Sequence, residues 1–269
     1  MTKKGTSLHT RYFIFIVMLI TYGQVSTSFA VVPECKDSLV LSTTSNWFPY
    51  IYKADGQEYK GVDLQLLKDV LKEMGCDVVV AQYPERRSLF EISQGRFDIG
   101  LGASKNKERL KKHHYSNAYR HEVNRFAYRI NDSDIAQTSS LQDIINLEKV
   151  IAINLAGWYG YEIEKAKANY NNFIFSDSIT KRLKMLYYER VDIVVDDEIV
   201  LCYELERSIF NGMAIHPQIL YDTPIHFIFN KKNISSEFVL QFNLILEQMR
   251  IDGRLMNRFN ISTPNHCLA

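Results

Sequence analysis

The chain has 269 residues, 46% of them hydrophobic and 23% charged, with a formal net charge of +1. That supplies enough apolar side chain for a packed core in one large or two small domains. With lysine and arginine scattered and no aromatic-interleaved basic stripe, neither nucleic acid nor acidic lipid is an expected partner.

Lys3, Lys4 and Arg11 precede the apolar run from Tyr12 to Ile20, and Ser28-Phe29-Ala30 follows with small residues. A positive region, an apolar run short for a bilayer and a small-residue cleavage site make the pattern of a secretory signal peptide over 1–30. Its removal leaves 29 basic against 31 acidic residues. Cys35 lies five residues past the cleavage site, so no lipid anchor is expected.

Residues 38–44 (SLVLSTT) read as a strand. Over 61–75, Leu67, Val70, Leu71 and Met74 fall at helical spacing and Gly75 ends the helix. DVVVAQ (77–82) is a β-branched strand, followed by a helix over 86–94 and a strand from Phe97. His113-His114 lies in a lysine-rich helix, where neighbours do not share a face, so a solvated surface is expected. The run 123–130 is extended. Strands at 150–154, 172–176 and 192–195 then alternate with helices at 161–170, 178–189 and 197–208. Another extended run, 224–230, precedes a long amphipathic helix over 236–253. This alternation predicts an α/β fold with parallel sheets.

RSLFEISQGRFDI (87–99) aligns at one fixed offset with KRLKMLYYERVDI (181–193), matching Leu89 with Leu183, Arg96 with Arg190, Asp98 with Asp192 and Ile99 with Ile193. Each copy reads as a helix running into a strand that carries an Asp. Two similar lobes follow from such a repeat, with a cleft between them where a ligand would bind. No low-complexity linker separates the halves, so hinge strands are expected to join them. Asp98 and Asp192 are expected to satisfy backbone groups at strand starts. Arg109 follows copy one and Asp196 follows copy two, so a cation and an anion on opposite lobes could grip a zwitterion.

Cys35, Cys76, Cys202 and Cys267 form an even set, which favours disulfides in an exported chain. Three pairings are open. Cys35–Cys76 is feasible if the first two strands are neighbours, and Cys202–Cys267 would then tie the C-terminal tail to the second lobe. There is no C-x-x-C and no Cys/His cluster. GLGAS (100–104) and GWYG (157–160) lack the spacing of a phosphate loop. No metal, cofactor or catalytic residue is expected.

The order of these pieces resembles the bacterial type II periplasmic solute-binding proteins of the polar amino-acid class, solute-binding protein family 3. The resemblance is carried by NWFPY (46–50), GVDLQLL (61–67), QGRFDIGLGASKNKERLKKHHYSNAY (94–119), LEKVIAINLAGWYGYE (147–162), ERVDIVVDD (189–197) and EQMRIDG (247–253). It implies a two-lobed fold, each lobe a mostly parallel sheet flanked by helices. Lobe 1 would span 31–125 plus 226–269, and lobe 2 would span 126–225.

The resemblance also implies a ligand site. Arg109 matches the arginine that pairs with a ligand α-carboxylate, a role suited to its planar fork. Gly102 and Ser104 match strand-end positions that contact the same carboxylate. Asp196 matches the acid that accepts from the α-ammonium, and Trp47 the aromatic over the ligand side chain. Gly157, Trp158 and Tyr159 match the loop before the lobe-two helix, although two bulky aromatics replace the family's small hydroxyl residues. From spacing alone Arg109 is a surface helix residue, and either Asp196 or Asp197 caps the following helix.

What the resemblance implies is a monomeric periplasmic protein that captures an amino acid or similar polar solute for an ABC permease. Handing the ligand to a membrane sensor uses the same cleft. The alternative from another class is an enzyme on this scaffold, like the cyclohexadienyl dehydratases, but no G-x-S-x-G or cysteine nucleophile signature supports one.

Overall fold

The computed structural model describes residues 35, 38–44, 46–54, 58–83, 94–260 and 267. The signal-peptide segment, and all but the last residue of the helix expected over 86–94, lie outside them. In chain order the first half contains β1 (Leu39–Thr43), the hairpin β2 (Tyr52–Ala54) and β3 (Glu58–Lys60), α1 (Val62–Glu73), β4 (Val78–Gln82) and β5 (Ile99–Ala103). The short helix α2 (Lys107–Lys112), β6 (His113–Tyr115) and the ten-residue β7 (Arg120–Arg129) follow. The second half runs through α3 (Ser133–Ala136), α4 (Leu141–Asn146), β8 (Ile151–Ile153), α5 (Gly160–Asn169), β9 (Phe173–Phe175), α6 (Ile179–Tyr187), β10 (Ile193–Asp197), α7 (Glu198–Leu205) and β11 (Met213–Ile215). The chain returns through β12 (Tyr221–Asn230) to α8 (Ser236–Ile251) and α9 (Arg254–Phe259).

One curled sheet runs β4-β1-β5-β12-β7-β10-β8-β9, with β6 also on β12 and β11 also on β7. Its two ends are parallel, as the βα alternation requires. Its middle is antiparallel and built from the two long strands. Residues Tyr221–Ile225 of β12 pair with β7, and from His226 onward the same strand pairs with β5 and β6. Strand β7 changes partner likewise, from β12 at its start to β10 beyond Asn124. These are the hinge strands.

Each half has its own apolar core. In the first, Leu64, Leu67, Val70 and Leu71 of α1 pack with Phe227, Phe242 and Leu246. In the second, helix and sheet pack through Leu183, Leu186 and Val194 on one face and Phe126, Ile153 and Ile163 on the other. Tyr50 belongs to the first half by sequence yet is buried in the second core.

Cys35 pairs with Cys76 and Cys202 with Cys267, at Cα–Cα separations of 5.5 and 5.3 Å, within disulfide range. Neighbouring parallel strands β1 and β4 bring the first pair together, as expected. The expected solvated His113-His114 helix face is corrected. The helix stops at Lys112 because the chain then pairs with β12, and strand alternation turns His113 inward to 3% exposure. Among the described residues no helix is long and apolar enough to cross a membrane.

Candidate functional site

A cleft of about 380 Å³ opens between the halves. All eight residues singled out from the sequence line it: Trp47, Gly102, Ser104, Arg109, Gly157, Trp158, Tyr159 and Asp196. The first half supplies strand ends and the start of α2. Asn106 caps that helix, its side chain accepting from the Arg109 amide at 2.8 Å, which fixes Arg109 at the helix start. The guanidinium donates from Nη1 to the Ser104 carbonyl at 3.0 Å and from Nη2 across the cleft to the Ala156 carbonyl at 2.7 Å. Burial lowers its affinity for its proton. Among the described residues, no carboxylate pairs with it.

Gly102 adopts φ +66°, and a Cβ there would sit 2.6 Å from Trp47 Cζ3. The indole therefore lies on bare backbone. The Gly102 amide donates to Tyr119 Oη, and Tyr119 donates in turn to Asp63 Oδ2 at 2.6 Å. Gly102 thus makes room for the Trp47 indole while its N–H is held by Tyr119. Ser104 Oγ donates across the cleft to the Trp158 carbonyl at 3.4 Å.

From the second half, Asn154 Oδ1 accepts from the Ala156 amide and shapes the 154–159 loop. Tyr159 folds over Gly157, is 5% exposed, and packs in the core with Phe126 and Ile163. Trp158 is the half-exposed aromatic of the pair.

Two adjacent acids end β10, and the fold separates their tasks. Asp197 caps α7, accepting from the amides of Ile199 and Val200 and from Tyr50 Oη at 3.0 Å. Asp196 faces the cleft. Its Oδ1 accepts from Trp47 Nε1 at 3.1 Å and from the Asp197 amide at 2.8 Å. Its Oδ2 pairs with Nη2 of Arg182, which is fully buried and also donates to the Val195 carbonyl. Removing one member of such a buried pair costs about 3–5 kcal/mol, so Asp196 has a structural task as well.

Sequence reasoning missed three features. Arg182 was hidden inside an amphipathic helix. Arg120, on β7, ion-pairs with Asp63 at 3.2 Å, and its guanidinium stacks 3.6 Å from the Tyr50 ring. Glu122, two residues along the same strand, lines the cleft and is 9% exposed. Its Oε1 accepts from Asn124 Nδ2 at 3.0 Å, and its Oε2 lies 3.8 Å from Arg120 Nη1. Burial first, then the charge of Asp197, push the Glu122 carboxyl up to about 8. The one signal in the sequence is parity: Glu122, Asn124 and Phe126 share the buried face of β7. Asp63 opens α1 and is fully buried against Arg120.

A family model of bacterial extracellular solute-binding proteins, family 3, matches residues 39–260. Among solved structures, the chain is similar to an ancestral arginine-binding protein bound to glutamine, at 21% identity and TM-score 0.71, covering 83% of this chain and 96% of that one. It is also similar to AbpA, an amino acid ABC transporter substrate-binding protein from Streptococcus pneumoniae bound to L-arginine, at 20% identity and TM-score 0.69, covering 85% and 97%. A histidine kinase sensor domain with similarity to periplasmic binding proteins aligns at 13% identity and TM-score 0.72, covering 84% and 98%. No curated protein matches the chain. The two-lobed fold is that of the type II periplasmic binding proteins.

Proposed function

The chain belongs to the bacterial extracellular solute-binding proteins of family 3, and from that premise we propose that it captures a zwitterionic amino acid without turning it over. Export to the periplasm and delivery to an ABC permease complete the reading. Lobe 1 is taken as 31–125 plus 226–269 and lobe 2 as 126–225, because β12 changes partner between Ile225 and His226.

Arg109 carries the proposal. A half-buried cation facing a cleft is ordinarily paired with an anion. Arg109 is held instead by carbonyls from both lobes and faces the cleft. A ligand carboxylate would supply the missing charge through two parallel hydrogen bonds. Trp47, seated on Gly102, and Trp158 would frame the ligand's side chain, and Ser104, Gly157 and Tyr159 the loops that close on it. Since Arg109 stands on lobe 1 and the 154–159 loop that faces it on lobe 2, a ligand touching both stabilises the closed arrangement, which is the differential contact that hinge closure needs. Binding of L-arginine by AbpA supports the amino-acid class. The likeness to a kinase sensor domain supports a second use of the same cleft, presentation of the ligand to a membrane sensor.

The test is a thermal-shift screen of residues 31–269, stripped of carried ligand by unfolding and refolding, against all common amino acids. A ligand at 100 times its dissociation constant adds about 2.7 kcal/mol. A shift with one or a few amino acids is expected. No shift with any would overturn the capture reading, and product formed from prephenate or arogenate would overturn its non-catalytic part. Light scattering should show a monomer.

A further inference from the structure

We propose that Glu122, on the hinge strand β7, is the acid that receives the cationic group of the ligand, and that Asp196 is instead a positioning residue that holds Trp47. The inference rests on the capture reading and names the charge partner within it.

Asp196 has little left to offer a ligand. Arg182 neutralises its charge, and its two oxygens accept from Arg182, Trp47 and the Asp197 amide. Glu122 differs. One of its oxygens has a single neutral donor, Asn124, and the other has only the distant edge of Arg120 at 3.8 Å. Arg120 is itself committed to Asp63, which its Nε reaches at 3.2 Å from both oxygens.

The charges around the cleft floor point the same way. Glu122, Asp177 and Asp196 are buried acids of the cleft lining and Asp63 and Asp197 are buried close by, against Arg109, Arg120 and Arg182. The charged and polar groups around Glu122 are Arg120 and Asn124 of its own strand, Asp196 and Asp197 of β10, Arg109 of α2, Tyr50 and Tyr159. Buried beside two other carboxylates, Glu122 holds its proton at neutral pH, with its pKa at about 8. An ammonium or guanidinium placed against it would favour the ionised form, so ligand binding should expel a proton. Arg109 and Glu122 line the same cleft, a cation and an acid suited to the two ends of a zwitterion.

Isothermal titration of the stripped mature protein tests this, with L-arginine, L-glutamine and the other common amino acids as probes. Each is titrated near neutral pH in two buffers of different ionisation enthalpy. The wild type should release a proton on binding. Glu122→Gln should fold with no loss of thermal stability, lose the proton release and bind about 30- to 4000-fold more weakly, the range for removing a desolvated charge partner. Glu122→Asp should restore part of both. Asp196→Asn should retain the proton release even where affinity falls. Wild-type binding with no proton release, or unchanged affinity in Glu122→Gln, would overturn the assignment of Glu122 alone. Proton release lost in Asp196→Asn and kept in Glu122→Gln would return the role to Asp196. Absence of binding by every amino acid would overturn the capture reading and this inference together.

Discussion

Asp98 and Asp192 make the same two bonds in opposite lobes. The Asp98 amide donates to the Val40 carbonyl at 2.9 Å while its Oδ2 accepts from the Val40 amide at 2.8 Å. Asp192 does both with Val150, each at 2.9 Å. A third bond differs between them, from Asn233 to Asp98 and from Arg129 to Asp192. Each carboxylate thus clamps the first strand of its lobe. Asp98→Ala and Asp192→Ala should each cost about 2 kcal/mol, the scale for a charged acceptor left out of a backbone bond. Because the sites are far apart and share no partner, the double variant should be additive within about 0.5 kcal/mol in urea unfolding.

Binding and stability should separate at Arg109. Its replacement by Ala is expected to weaken amino-acid binding by about 2–5 kcal/mol in calorimetry. Lys should not rescue it, because an ammonium cannot reproduce the planar fork. The ligand-free protein should lose little stability with Arg109→Met, since a half-buried cation with no paired carboxylate among the described residues is replaced by an apolar chain of similar length.

Gly102→Ala meets two obstacles at once, a φ of +66° and the Trp47 ring 2.6 Å away. A loss of about 2 kcal/mol is expected. The indole should also leave Asp196, its partner at 3.1 Å. Trp47 and Trp158 are the only tryptophans, so a Trp158→Phe background would report this as a shift in Trp47 emission.

Two buried groups make stability depend on pH in opposite directions over overlapping windows. Burial, then Arg109, lower His113 from 6.5 to about 4. Between those values the unfolded chain binds a proton that the folded chain refuses, so stability drops by about 2–3 kcal/mol as pH falls through that window. It is fully present above the unfolded value. For Glu122 the folded chain keeps a proton that the unfolded chain gives up above 4.5, so stability declines as pH rises from there to about 8. In urea midpoints measured against pH, His113→Phe should remove the loss between pH 6.5 and 4, and Glu122→Gln the loss between pH 4.5 and 8.

The periodic parts of the fold were legible in the sequence. Helix α1 shows its buried stripe, and the repeat around Asp98 and Asp192 announced two related halves. The hairpin β2–β3 did not show, because three-residue strands carry too little alternation to register. Residues 113–115 look helical after a run of lysines, and only pairing with β12 makes them a strand. Spacing could nominate Asp196 or Asp197 as cap but not choose; the turn into α7 does, by placing Asp197 against the Ile199 and Val200 amides. Glu122 and Arg120 were invisible because their meaning comes from Asp63 and Asp197, which chain folding alone brings near.

Strand β7 does two things at once: it crosses from one lobe to the other, and it carries Arg120 and Glu122. If Glu122 meets the ligand as proposed, preference for a ligand and resting posture are set on one strand. A substitution there that alters the electrostatics of recognition will also reset how much of the population rests shut before any solute arrives. An equilibrium affinity will then report the product of the two, and only opening and closing rates will tell them apart.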